Sequence, residues 1–144
     1  MARPMSEDEV RAFLREGTRT GKVATTRADG RPHLAPIWFV VDETDGSLVF
    51  NTGAETVKGR TLARDPRIAV CVDDERAPYA FVLVEGIAEL SDDVEAMLPW
   101  STRIAARYMG EDKAEAFGRR NAVPGELLVR VRPTRITALA ELAD

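Results

Sequence analysis

Apolar positions along the chain switch between helical and strand periods. Ser6-Glu7-Asp8-Glu9 has the form of an N-cap followed by a capping-box glutamate. Val10, Phe13 and Leu14 then recur at i, i+3 and i+4, which predicts an amphipathic helix over 6–16, with Gly17 and Gly21 bracketing its exit. Residues 22–27 predict a first strand, and Asp29-Gly30 a hairpin into a longer second strand over 31–42. Asp45-Gly46 is a second hairpin signal, leading to a third strand over 47–51. A helix of about three turns follows and stops before Pro66. A fourth strand covers 67–73 and a fifth 79–90, bent near Gly86. Ser91-Asp92-Asp93 caps a helical stretch through Tyr108 that Pro99 should kink or restart and Gly110 ends. Residues 111–119 form a further short helix, Pro124-Gly125 a turn, and 126–131 a sixth strand; 136–142 read as extended or as a frayed tail. Without internal repeats or linkers, this predicts one domain over 1–144, mainly β with helices (α+β), built on six antiparallel strands.

The second strand is apolar on both faces. Ala35, Ile37, Phe39 and Val41 lie on one, and Leu34, Pro36, Trp38 and Val40 on the other. The fifth behaves similarly, with Tyr79, Phe81 and Leu83 against Ala80, Val82 and Val84. Hairpin-linked antiparallel strands usually keep one wet face, so something must cover the second. Helices, a partner subunit or a flat cofactor would serve, and a homodimer accounts most economically for so much apolar surface on a small chain. The competing reading is that the C-terminal helices alone cover it.

Composition narrows the chemistry. At 44% apolar and 31% charged residues, the chain is that of a soluble globular protein able to bury a core. Its formal net charge of −4 argues against a general nucleic-acid binder, so anion binding requires local concentration of basic residues. One cysteine, Cys71, and one histidine, His33, exclude an internal disulfide and a Cys- or His-built metal site. No apolar run is long enough to span a membrane, and the acidic N-terminus has no secretory signal, so a cytoplasmic location is expected. Cys71, out of phase with Ile68, Val70 and Val72, reads as a buried inert thiol, and His33, beside a turn, as structural or exposed.

Within the helix after the third strand, Val57 and Leu62 point the same way, toward a core, and Lys58 and Thr61 share that arc. An ammonium there needs a partner, because burying it unpaired is costly. A helix N-terminus offers free N–H groups and a positive dipole end, so this strand–loop–helix suits a phosphate, with Lys58 on it. Arg60 and Arg64, at i and i+4, fit a solvated flank. Trp38, Tyr79 and Phe81 are candidates to stack on a ring system. No Ser/His/Asp set, G-x-S-x-G or P-loop is present. An anion site beside aromatics, without acid–base apparatus, suits an enzyme whose cofactor supplies the chemistry.

The run Gly21-x-Val-Ala-Thr-Thr-x-x-Asp-Gly-Arg-Pro-His-Leu-x-Pro-Ile-Trp-Phe39, then Phe50-Asn-Thr-Gly53, Lys58-Gly-Arg-x-Leu-x-Arg-Asp-Pro-Arg67 and Val84-Glu-Gly-x-Ala88, resembles the flavin/deazaflavin oxidoreductases of the pyridoxamine 5'-phosphate oxidase-like superfamily. It is most similar to their branch that uses coenzyme F420, over roughly residues 6–140. The resemblance implies a six-stranded antiparallel split β-barrel of the FMN-binding type, in a homodimer with two cofactor sites at the interface. It implies Lys58 as main phosphate ligand, with Thr52, Gly53, Val57, Gly59 and Arg60 supplying backbone amides and a second charge. The cofactor ring would lie along Pro36, Ile37 and Trp38 with Asn51 nearby, and Tyr79 and Phe81 would come from the neighbouring subunit. Arg60 and Arg64 would meet the oligoglutamate tail of F420. Pro36 departs from relatives with a polar residue near the ring, and the C-terminal arginine-rich motif of a full pyridoxamine-phosphate oxidase is missing. The expected activity is hydride transfer from reduced deazaflavin to an electron-poor small molecule, with Tyr108 and His33 as candidate proton donors. The alternatives are an FMN-dependent oxidoreductase and a non-catalytic flavin, deazaflavin or haem-type binder.

Overall fold

The computed structural model describes residues 1–144. Its elements are β1 (Arg3–Pro4), α1 (Glu7–Arg15), β2 (Gly21–Thr26), β3 (Pro32–Ile37), β4 (Val40–Val41), β5 (Leu48–Gly53), α2 (Val57–Arg64), β6 (Arg67–Asp74), β7 (Ala80–Ser91), α3 (Val94–Met109), α4 (Glu111–Asn121) and β8 (Glu126–Ala140). None of the helices is long and apolar enough to cross a membrane. The sheet runs β3-β2-β6-β7-β8-β5-β4, antiparallel throughout, with β1 added to the end of β8.

That order contains the closure of the fold. β3 and β4 end the sheet on opposite sides, yet only Trp38 and Phe39 separate them in the chain. The sheet must therefore curl until its two edges meet, which makes a barrel split at residues 38–39. The barrel interior is filled by Val23, Phe39, Leu48, Phe50, Val70, Val72, Val82, Val84, Val129 and Val131, with α1 plugging one end through Val10, Phe13 and Leu14. Outside, α3 packs Met97 and Ile104 against Val40, Val49 and Leu128.

Local chemistry sets most boundaries. Ser6 and Glu9 make both bonds of the capping box. Gly30 (φ +87°) and Gly46 (φ +78°) turn the two hairpins in a backbone region that favours glycine. The bend in β7 is a bulge between Glu85 and Gly86, where a Cβ on Gly86 would collide with the Arg132 carbonyl. Pro133 sits at that irregularity, where a missing N–H costs the ladder least.

Several expectations require correction. There are eight strands, not six. The predicted second strand breaks at Trp38-Phe39 because its halves pair with different neighbours, β2 and β5. The sixth continues as one strand to Ala140, pairing with β5 over its first part and β7 over most of its length. The fifth starts at Ala80, because Tyr79 has φ +65°. α3 runs through Pro99 unbroken, and α2 has 8 residues, little more than two turns. Cys71 is half-exposed on the outer sheet face; burial and then Asp73 push its thiol pKa up.

The outer face of β2, β3, β6 and β7 is uncovered. Leu34, Ala24 and Ala69 form one cross-strand row and Pro36, Lys22, Cys71 and Leu83 the next. Leu34 is 68% exposed. The C-terminal helices cover Val40 and Val49 but not this face, so they do not account for it alone.

Arg107 on α3 ties the parts together. It donates to Leu14 O, Glu16 O and Gly17 O at the end of α1, and to Phe39 O at the strand break. Arg107→Ala strands those carbonyls and is expected to lower stability by about 2–3 kcal/mol in urea denaturation. Arg119→Ala, which removes an exposed ion pair with Glu115, should change it by less than about 0.5 kcal/mol.

Candidate functional site

A cleft of about 420 Å³ opens where the barrel splits. Pro36, Ile37 and Trp38 form one wall, Asn51 of β5 the floor, and Lys58 of α2 one end. Thr20, Ile104, Asn121 and Glu126 complete it. A larger groove of about 620 Å³ lies between α1 and β8, but it contains none of the predicted site residues.

The β5–α2 loop is built by close backbone approach. A Cβ on Gly59 would collide with the Gly53 carbonyl, so only glycine lets the first turn of α2 sit on the end of β5. Thr56 is the N-cap: its hydroxyl accepts from Gly59 N (3.1 Å) and donates to Gly53 O (2.8 Å). Its proton being committed, the 3.0 Å contact with Thr52 has the Thr52 hydroxyl donating. Thr52 is thus buried and structural in its side chain. Val57 is 38% exposed rather than directed to the core; Thr61, Leu62 and Gly59 make the buried side of α2. Lys58 is half-buried, lines the cleft, and has no hydrogen-bond or ion-pair partner. Arg60 is exposed and free, whereas Arg64 donates to Thr26 O at 2.6 Å.

At the other end, the Trp38 indole lies flat on Tyr108, with ring centroids 4.9 Å apart and planes 2° from parallel. One indole face is therefore taken and the side chain remains 44% exposed. The Tyr108 hydroxyl donates to Arg19 O (2.7 Å) and accepts from Phe39 N (3.3 Å). Burial pushes its pKa up. A hydroxyl so engaged tethers the Arg19 and Phe39 backbone groups, and it would have to leave Arg19 O to act as a proton donor. His33 lies on β3 outside the cleft, with Nδ1 buried and unpartnered.

Asn51 Oδ1 accepts from Ser101 Oγ at 2.8 Å, and Asn51 Nδ2 is buried without a partner. Glu126 is unpaired, and burial raises its carboxyl pKa. Phe81 lies on the outer face of β7 and the exposed Tyr79 in the turn before it, and neither lines the cleft of its own chain. Sequence reasoning missed Thr20, Ser101, Ile104, Asn121 and Glu126. These reach the site from the loop before β2, from α3 and α4, and from the start of β8, and only the register of Glu126 opposite Gly53 explains its position.

The family model for pyridoxamine 5'-phosphate oxidase matches residues 6–140. A 5a,11a-dehydrotetracycline/5a,11a-dehydrooxytetracycline reductase from Streptomyces rimosus is 34% identical over 74 residues, 49% of this chain and 50% of that protein. The chain thus spans about half the length of this curated relative in the match. A conserved hypothetical protein from Mycobacterium tuberculosis superposes with a TM-score of 0.83 at 29% identity, over 95% of this chain and 86% of the other. A structure named F420 reductase does so with a TM-score of 0.67 at 28% identity, over 85% and 92%.

Two substitutions check the loop. Gly59→Ala is expected to cost about 2 kcal/mol or more despite alanine's better helix propensity, because backbone must move to admit the methyl. Thr56→Ala should cost about 1 kcal/mol for the lost cap. Thermal unfolding measures both.

Proposed function

The chain belongs to the pyridoxamine 5'-phosphate oxidase family, and from that premise we propose that it is a coenzyme F420-dependent oxidoreductase, a reductase of electron-poor small molecules. The observation that carries the reading is the unpaired Lys58 ammonium facing the same cleft as the backbone of Pro36, Ile37 and Trp38. A phosphorylated cofactor fits these residues. Its phosphate takes Lys58 and the free N–H groups of the first turn of α2, with Thr52, Gly53, Val57, Gly59 and Arg60 framing the loop. Its ring lies along β3, the outermost strand of its leg, with Asn51 below. The bound cofactor supplies hydride transfer; the chain holds it, orients it and excludes water.

The names of the relatives support the same class. One solved neighbour is an F420 reductase and one curated relative is a reductase of dehydrotetracyclines. FMN is the alternative cofactor. It is favoured by the engagement of Arg64 with Thr26, which leaves only Arg60 free for an acidic tail.

The working unit in this reading is a homodimer. Packing the bare face with Leu34, Cys71 and Leu83 against a second copy removes its apolar exposure. Tyr79 and Phe81 then complete the partner's cleft. The acceptor is a small molecule; no nucleic-acid or membrane role is proposed.

Titration with F420 and with FMN, followed by fluorescence, is expected to show tight F420 binding; tight FMN binding with none for F420 would sink the reading. Lys58→Ala should weaken the cofactor by about 1.5–3 kcal/mol, the range for a charge-assisted hydrogen bond, with unfolding unchanged. Leu34→Glu should shift the protein to monomer in sedimentation; a dimer that survives it would place the interface elsewhere.

A further inference from the structure

We propose that Glu126 determines which phosphate the cleft accepts: the singly charged phosphodiester of a molecule such as F420, over the doubly charged phosphate monoester of FMN. This rests on the cofactor reading above and adds a residue that selects the cofactor.

Glu126 is the first residue of β8 and stands opposite Gly53 in the sheet register. Its carboxylate lies over that glycine, with Oε2 only 3.2 Å from where a Cβ on Gly53 would sit. Gly53 is also the residue whose carbonyl takes the Thr56 hydroxyl and on which Gly59 rests. The carboxylate therefore stands at the base of the loop that leads into α2, beside the proposed phosphate position.

Nothing in the chain neutralises it. The Glu126 carboxylate accepts no hydrogen bond and has no cation within ion-pairing distance, and burial alone accounts for the upward displacement of its pKa. Of the groups that face the cleft from the other elements, Pro36, Ile37, Trp38 and Ile104 are apolar, Thr20, Asn51 and Asn121 are neutral, and only Lys58 is charged. One ammonium and one carboxylate leave the cleft with no net positive charge.

Burial favours the neutral acid, so the charged form is the one to test at alkaline pH, where the carboxylate accepts hydrogen bonds but donates none. A phosphodiester has two free oxygens, which Lys58 and the N–H groups of α2 can both satisfy. A monoester dianion has three, and a larger charge to share a single ammonium. Its third oxygen is left toward Glu126, where like charges repel.

Glu126→Gln keeps the shape and removes the charge. At pH 8, FMN affinity is expected to rise about tenfold while F420 affinity changes less than about threefold, read by fluorescence titration of folded protein. Glu95→Gln, exposed on α3 and outside both the cleft and the β5–α2 loop, should leave both unchanged. Equal shifts in both affinities, or none, would overturn the role of Glu126 while leaving the cofactor site standing. Failure of the native chain to bind either cofactor would overturn both. If the variant does not fold, competition on the native chain decides: a dialkyl phosphate should displace bound cofactor better than inorganic phosphate, and the reverse order refutes the proposal.

Discussion

The backbone of Phe39 is the place on which the structure turns. It leaves the ladder with β2 before it can join the ladder with β5, so its polar groups need partners from outside the sheet. Phe39 is fully buried, and water cannot supply them. α3 does: Tyr108 accepts from Phe39 N and Arg107 donates to Phe39 O. The same two side chains reach Arg19 O and the last carbonyls of α1. A guanidinium that is half-buried without a carboxylate would be costly, but four backbone acceptors and the faces of Phe39 and Tyr108 replace its water. The split in the barrel, the docking of α1 and α3, and the position of the cleft wall meet at the N–H and C=O of one residue, Phe39.

The opposite wall follows from absent side chains. Two glycines, Gly53 and Gly59, let α2 rest on β5 at backbone distance, and the Thr52–Thr56 hydroxyl pair fixes the turn. This uses the acceptors nearest the loop, Gly53 O and Thr56 Oγ1, for structure and leaves Lys58 with none. Most other cations are engaged: Arg19 with Asp74, Lys22 with Asp73, Arg130 with Asp42, Arg64 with Thr26. An unpaired ammonium amid so many satisfied ones marks the position where an external anion gains most.

What the sequence discloses here is what local chemistry decides. The capping box, both Asp-Gly hairpins and the bend at Gly86 are set by residues adjacent in the chain. The convergence of Pro36, Ile37, Trp38, Asn51 and Lys58 on one cleft was also anticipated. The break at Trp38-Phe39 was not, because Ile37-Trp38-Phe39-Val40-Val41 is uniformly apolar and nothing in it shows which neighbour each half pairs with. Val57 misled for a related reason: helical phase placed it inward, but the sheet ends before reaching it. Cys71 misled because alternation distinguishes two faces without saying that the second is uncovered. Glu126 was invisible because its role depends on register with Gly53, more than 70 positions away.

These features meet on β3. Its inner side helps close the barrel, its outer side presents Leu34 and Pro36, and its last residues line the cleft. In the proposed dimer, a partner covering Leu34 would brace the same strand whose last residues, Pro36 and Ile37, line the cleft. β3 has only β2 as a strand neighbour, so its free edge is where the scaffold is least supported. Pro32 and Pro36 stiffen it and remove two backbone donors from an edge strand. Pro36 thus need not donate to a ring to be useful there. Its fixed φ holds the cleft wall extended, while the side-chain donors of Asn51 and Lys58 line the cleft from other elements.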